Sequence, residues 1–192
     1  LRKPTNEKLL HHLDLIANSG VAFSINTIIG FPEETREMVF ETIEFCRKLK
    51  SFDALTVSIF TPYHGTVLRK RAVDLGFLDE DTLTVHTTSS SLLKMPMLSA
   101  ETIDGLFRTF LMYVRFEKEL WPYIQKAEKF DDVGNNTWKK LFKLYQERYY
   151  STDQDGFSLK TDINDDHLNN IKHPKLDTWE EVFGHMSKTH MR

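Results

Sequence analysis

The stretch INTIIGFPEET, residues 25 to 35, stops a β-branched run at Gly30 and then sets Glu33, Glu34 and Thr35 in succession. A second stretch, FTPYHG, residues 60 to 65, places Tyr63 and His64 between Pro62 and Gly65. Carboxylates and an imidazole are groups that move protons, and the carboxyl ends of parallel strands are where α/β sheets gather ligands. Turn chemistry accounts for the same residues without a ligand. Gly30 suits a sharp change of direction or a close approach, Pro32 fixes its own φ and keeps Phe31 extended, and Thr35 is placed to cap a helix that the glutamates favour electrostatically. His64 reads either as a proton donor or polar contact on the ligand side, or as a hydrogen-bonded surface residue.

Small polar groups form a second pattern. Ser24 and Asn26 alternate onto one face with Ala22 and Ile28, and Thr56 and Ser58 onto one face with Phe60. The other faces, Val21, Phe23, Ile25 and Ile29 with Leu55, Val57 and Ile59, are apolar, as the period of two requires if each strand has one greasy side. A parallel strand covered by helices on both sides should be apolar on both. A small polar face therefore points to a ligand-holding interior.

Several elements must position these groups. Leu9, Leu13, Ile16 and Ala17 share a helical face over Lys8 to Asn18, with Thr5 or Asn6 as N-cap and Gly20 as stop. A strand follows over Val21 to Ile29, a helix over Thr35 to Lys50 with Val39, Ile43, Cys46 and Leu49 inward, a strand over Ala54 to Phe60, and a short helix over Thr66 to Leu75. Helix–strand–helix–strand–helix with short connections is the pattern of a parallel α/β sheet, and two parallel strands need further neighbours. Residues 77–98 read as an irregular connection. A long helix is predicted over Ala100 to Leu120, Pro122 ends it or starts another reaching about Phe130, DDVGNN reads as a turn, and an aromatic-rich helix runs from Trp138 to Tyr150. From Ser151 the chain is polar and reads as a loosely ordered tail with a short helix near Thr178 to Met186.

Composition narrows the class. The chain has 192 residues, 40% hydrophobic and 28% charged, with a net charge of −3. That balance gives no basic footprint for nucleic acid, and no apolar run is long enough to span a membrane. The single cysteine, Cys46, cannot form an internal disulfide or a thiolate cluster and suits a reducing cytoplasm. The histidines show no metal-ligand spacing; His11 and His12 are adjacent on a helix and diverge. Trp121, Trp138 and Trp179, with Phe107, Phe110, Phe116 and Phe142, read as helical core, the sharper alternative being a cover over a substrate. The first residue, Leu1, already stands in a helical pattern, so the chain reads as a piece of a longer protein.

NTIIGFPEETREMVFETIEFCRKL followed by SIFTPYHGTVLRKRAVDLGFLDED resembles the second half of the core domain of radical S-adenosylmethionine enzymes, nearest to those with an upstream cobalamin-binding domain. The resemblance implies an α/β fold, a partial (β/α) TIM-like barrel fragment of parallel strands in residues 1–81. A connection over 82–98, an α-helical C-terminal region over 99–151 and a tail over 152–192 would follow. It implies adenine-side binding of S-adenosylmethionine by Asn26, Ile28, Gly30, Ser58, Phe60 and Thr61, a four-iron, four-sulfur cluster, and a small-molecule substrate. Cobalamin would sit in another domain. The sequence departs from the family pattern at Glu33, where glycine is usual, at His64, where proline is usual, and at Asn26, where a more general form has glycine. The three-cysteine cluster motif is absent from the chain, so cluster ligands and cobalamin would belong to the remainder of the polypeptide. A non-catalytic docking module and a non-radical (β/α) barrel enzyme are the competing readings.

Overall fold

The computed structural model describes residues 5–49, 52–84, 90–153 and 156–159. It is a mixed α/β structure, mostly helical, whose central feature is a two-stranded parallel sheet. Helix α1 (Asn6–Asn18) leads to strand β1 (Ser24–Ile29), helix α2 (Arg36–Arg47), strand β2 (Ala54–Ile59) and helix α3 (Val67–Asp74). Thr5 and Thr35 cap as the sequence reading expected, and Thr66, read there as the first helical residue, is a cap as well. Thr5, Thr35, Thr66 and Ser99 each stand in extended conformation and accept an N–H from the first turn of the following helix, satisfying a donor the helix itself leaves unpaired.

β1 and β2 run parallel in register from Ser24 opposite Ala54 to Ile29 opposite Ile59. Ile29, Leu55 and Ile59 are buried, and Ile25 and Val57 partly so, in a core shared with Val39, Ile43 and Cys46 of α2. Helix α4 (Ala100–Arg115) packs on β2 and on α2 and supplies Ile103, Leu106 and Phe110, all fully buried. Each such side chain contributes about 1.5–3 kcal/mol through burial. The opposite face of the sheet, with Ser24, Asn26, Ile28 and Thr56, is exposed. The C-terminal helices therefore do not cover it; α4 stands on the greasy side.

The remaining helices close the core. α5 (Trp121–Ala127) opens at Pro122 after a single 3₁₀ turn (Lys118–Leu120), and α6 (Asp132–Tyr149) packs against it. An antiparallel pair, β3 (Tyr150–Asp153) with β4 (Gly156–Leu159), follows where the sequence suggested a loose tail. The expected short helix near Thr178 lies outside the described residues.

Of the helix limits that differ from the sequence reading, the two largest differences have a tertiary reason. The long helix stops at Arg115, not Leu120. Phe116 leaves in extended conformation, and Arg47 of α2 donates to the carbonyls of Tyr113, Val114 and Phe116 at 2.7, 3.0 and 2.7 Å, capping the helix from outside. DDVGNN is not a turn but largely the first turns of α6. The Asp131 carboxylate accepts the Gly134 N–H at 2.7 Å. Gly134 is there for space, since a Cβ would sit 2.1 Å from the Lys129 carbonyl oxygen.

α1 stands apart, with none of its residues buried and Leu9, Leu15 and Ile16 exposed. An amphipathic helix stabilised by packing normally covers its apolar stripe. Here the cover is partial among the described residues: Leu13 and Ala17 are half-buried, while Leu9 and Ile16 stay exposed.

Candidate functional site

The strand ends show where the acids go. Gly30 adopts φ +85° and is buried, and the space its missing side chain leaves is bounded by Ile103 of α4, 3.3 Å from where a Cβ would be. The Glu34 carboxylate turns back to accept the N–H groups of Gly30 at 2.5 Å and Phe31 at 3.1 Å. Burial raises the Glu34 carboxyl above its ordinary value, and the two N–H groups pull it part of the way back. Glu33 sits at φ +69°, a left-handed conformation in which a side chain is strained. It forms a bidentate pair with Arg71 of α3, both contacts at 2.9 Å, and this hydrogen-bonded pairing holds its carboxyl below the usual range. Both glutamates therefore brace the turn, and neither is a free acid awaiting a substrate.

The open face holds the ligand-type groups together. Asn26 lies opposite Thr56 and Ile28 opposite Ser58 in the parallel register, so these residues share a side of the sheet. The Thr56 hydroxyl donates to the Asn26 side-chain oxygen, which leaves the Asn26 amide N–H groups pointing outward for another acceptor. Asn26 and Thr56 are exposed, Ser58 is half-buried, and Ile28 is 48% exposed, an unusual position for a strand isoleucine. At the rim, Phe60 is buried with its ring 5.1 Å from that of Phe31, and its N–H donates to Ile29 at 2.8 Å. Thr61 is half-buried, and its hydroxyl donates to the Ile59 carbonyl at 3.3 Å. Tyr63 and His64 are exposed beyond it.

Of the six predicted contacts, Asn26, Ile28 and Ser58 lie on one surface, and Gly30, Phe60 and Thr61 form the strand-end margin beside it. The surface offers an amide, three hydroxyls and an apolar patch, and no carboxylate or imidazole among the described residues of the two strands. It suits recognition of a neutral, hydrogen-bonding ligand with a flat apolar face; it holds no group for proton transfer.

Sequence reasoning missed the residue that ties the rim together. Arg69 is 5% exposed and donates to the carbonyls of Pro62 at 2.8 Å, Glu80 at 2.7 Å and Thr82 at 2.8 Å. It locks the segment after β2 to the start of the long connection. Its signal was available: Arg69 lies three residues before the buried Ala72 and so shares the inward face of α3. A second unforeseen group is Glu128, which accepts two hydrogen bonds from Arg36 of α2, at 2.8 and 2.5 Å, and one from Tyr113 of α4 at 2.5 Å. That clamp fixes the helical region to the sheet side; burial, and after it the Glu128 contact, raise the Tyr113 phenol well above its normal range.

No family model matches the chain. Relatives do. The chain is 40% identical to an uncharacterized methyltransferase of Pyrococcus horikoshii over 81 residues, which is 42% of this chain and 17% of that protein. It is 39% identical over 75 residues to tRNA-2-methylthio-N(6)-dimethylallyladenosine synthase of Thermotoga petrophila, covering 38% of this chain and 17% of the synthase. The similarity thus spans about one sixth of the length of the curated relatives it matches, 17% in both cases.

Proposed function

We propose that this chain is the adenine-side part of a radical S-adenosylmethionine enzyme, a partial (β/α) barrel followed by a helical region. The observation that carries the reading is the open polar face shared by two parallel strands, Asn26 and Thr56 hydrogen-bonded across it, ending at the Gly30–Phe31 and Phe60–Thr61 margins. The two relatives support it, since one is named a methyltransferase and the other the synthase of a 2-methylthio-modified adenosine in tRNA. S-adenosylmethionine, when bound, supplies the activated methyl or adenosyl carbon. In this reading the chain's own residues orient it: Asn26 and Ser58 meet the polar edge of the base, Ile28 lies against its face, and the Glu34-braced turn keeps the margin rigid.

The described residues do not fit an iron–sulfur cluster. Such a cluster needs several thiolates, whereas Cys46 is alone, 1% exposed, and its thiol is pushed up to about 11 by burial. The cluster, the small-molecule substrate site and any cobalamin domain belong, in this proposal, to the rest of a longer polypeptide. The exposed part of the apolar stripe of α1, Leu9 and Ile16, together with Val21, 62% exposed, favours that arrangement, because adjoining barrel units would bury it. No described helix is long and apolar enough to cross a membrane, and a cytoplasmic setting fits the reduced Cys46.

The test is S-adenosylmethionine binding by the full-length protein, measured by calorimetry alongside iron content after anaerobic purification. Asn26→Ala and Thr56→Ala, at exposed positions, are expected to leave the unfolding midpoint within experimental error and to weaken binding at least tenfold. Unchanged affinity in both variants overturns the assignment of this face.

A further inference from the structure

A separate feature lies where α4 meets the start of α6. Arg108 projects from α4 with its guanidinium carbon 4.6 Å from the Phe130 ring centre and 5.1 Å from that of Trp138. Trp138 stacks in turn on Phe142, 4.8 Å away and nearly parallel at 11°, and its indole N–H donates to the Arg108 carbonyl at 3.2 Å. The guanidinium itself makes one hydrogen bond among the described residues, from Nη1 to the Asn135 side-chain oxygen at 3.0 Å. An arginine has five N–H donors in one plane.

Most other arginines packed on this structure are differently provided; Arg115, against the rings of Phe52 and Tyr149 at 4.2 and 5.8 Å, shares the ring contacts. Arg36, Arg71 and Arg148 each face a carboxylate. Arg47 and Arg69 each donate to three backbone carbonyls. Arg108 is half-buried and faces no carboxylate among the described residues; burial alone lowers its pKa to about 10. A desolvated cation without a counter-charge is costly unless something pairs with it. Phe130 beside it is 49% exposed, so the site is open to solvent on that side.

We propose that Arg108, held between Phe130 and Trp138 and steadied by Asn135, is a binding site for an oxyanion, a phosphate or a carboxylate, taken edge-on by the guanidinium fork. Aromatic rings against a guanidinium leave its in-plane donors as the groups that hydrogen-bond, and two parallel N–H groups match two oxygens of such an anion. The site is independent of the strand-end face and of the reading given to it.

Titration of the full chain with inorganic phosphate, and separately with succinate, at constant ionic strength tests this by following arginine side-chain N–H and tryptophan indole resonances. Saturable shifts of Arg108 and Trp138 are expected, with Arg36, whose fork is already taken by the Glu128 carboxylate at 2.8 and 2.5 Å, unmoved. Phosphate alone, succinate alone or both moving the resonances supports the site and names its preferred anion. Arg108→Gln is expected to abolish the response. Arg108→Lys, which keeps the charge and loses the fork, should weaken it at least tenfold and remains informative if the glutamine variant does not fold. No saturable shift with either anion, or an equal shift at Arg36, overturns the proposal.

Discussion

The bracing role of Glu34 gives the sharpest quantitative prediction. Replacing it with alanine removes the acceptor of the Gly30 and Phe31 N–H groups, and the Gly30 N–H has no water to turn to because the residue is buried. A hydrogen bond to a charged acceptor is worth about 1.5–3 kcal/mol net, and an orphaned buried donor costs about 1–3 kcal/mol. Relief of the buried carboxylate's desolvation offsets part of that, so Glu34→Ala should cost about 2 kcal/mol in urea unfolding, or roughly 4–8 °C in Tm for a chain of this size. Glu34→Gln keeps a carbonyl acceptor without the charge and should cost less than half as much. The pH dependence separates the two contributions. Burial raises the folded-state pKa of Glu34. A carboxyl raised on folding contributes its stability below the unfolded value and loses it as pH rises through the folded value. The glutamine variant, which has no such titration, should therefore gain on wild type as pH rises from about 4 toward neutrality. Glu34→Ala within about 0.5 kcal/mol of wild type, or a glutamine variant as damaged as the alanine one, would refute the bracing argument.

Other outcomes follow from named contacts. Gly134→Ala must push a methyl into the Lys129 carbonyl, 2.1 Å away, so the usual helical gain of alanine reverses and urea unfolding should show a loss of about 1–3 kcal/mol. Glu33→Gly removes the left-handed strain at φ +69° and loses only an exposed ion pair, so its urea midpoint should rise. Cys46, buried with its thiol raised to about 11, should resist a thiol reagent at neutral pH in native buffer and react promptly in urea. Removing the Glu128 clamp by Glu128→Ala leaves Arg36 and Tyr113 without their shared acceptor and should cost about 3–5 kcal/mol by equilibrium unfolding.

Much of the local structure was legible in the residues. Thr5 and Thr35 stood out as caps, the β-branched runs gave both strands, and the alternation at Ser24, Asn26, Thr56 and Ser58 gave a polar face that the register then aligned. These are nearest-neighbour effects, set by backbone preference and by a side-chain period that needs no partner. What the acids of PEET do was not legible. A glutamate at a strand end looks the same whether it awaits a ligand or bends back to two N–H groups, and only the path of the turn chooses. The helix limits at Arg115 and Asp132 were likewise decided elsewhere in the chain, by the reach of Arg47 across from α2 and by the carbonyl of Lys129 that tolerates only a glycine. So were the positions of Arg69, Glu128 and Arg108, charged residues drawn inward because the backbone carbonyls, the guanidinium and phenol, and the aromatic rings that respectively meet them come from other segments. The sequence by itself determined which segments are strands and helices and which sides of them are polar. The tertiary structure decided which polar groups are already spent on the protein and which are left facing outward, because that depends on partners no local pattern contains.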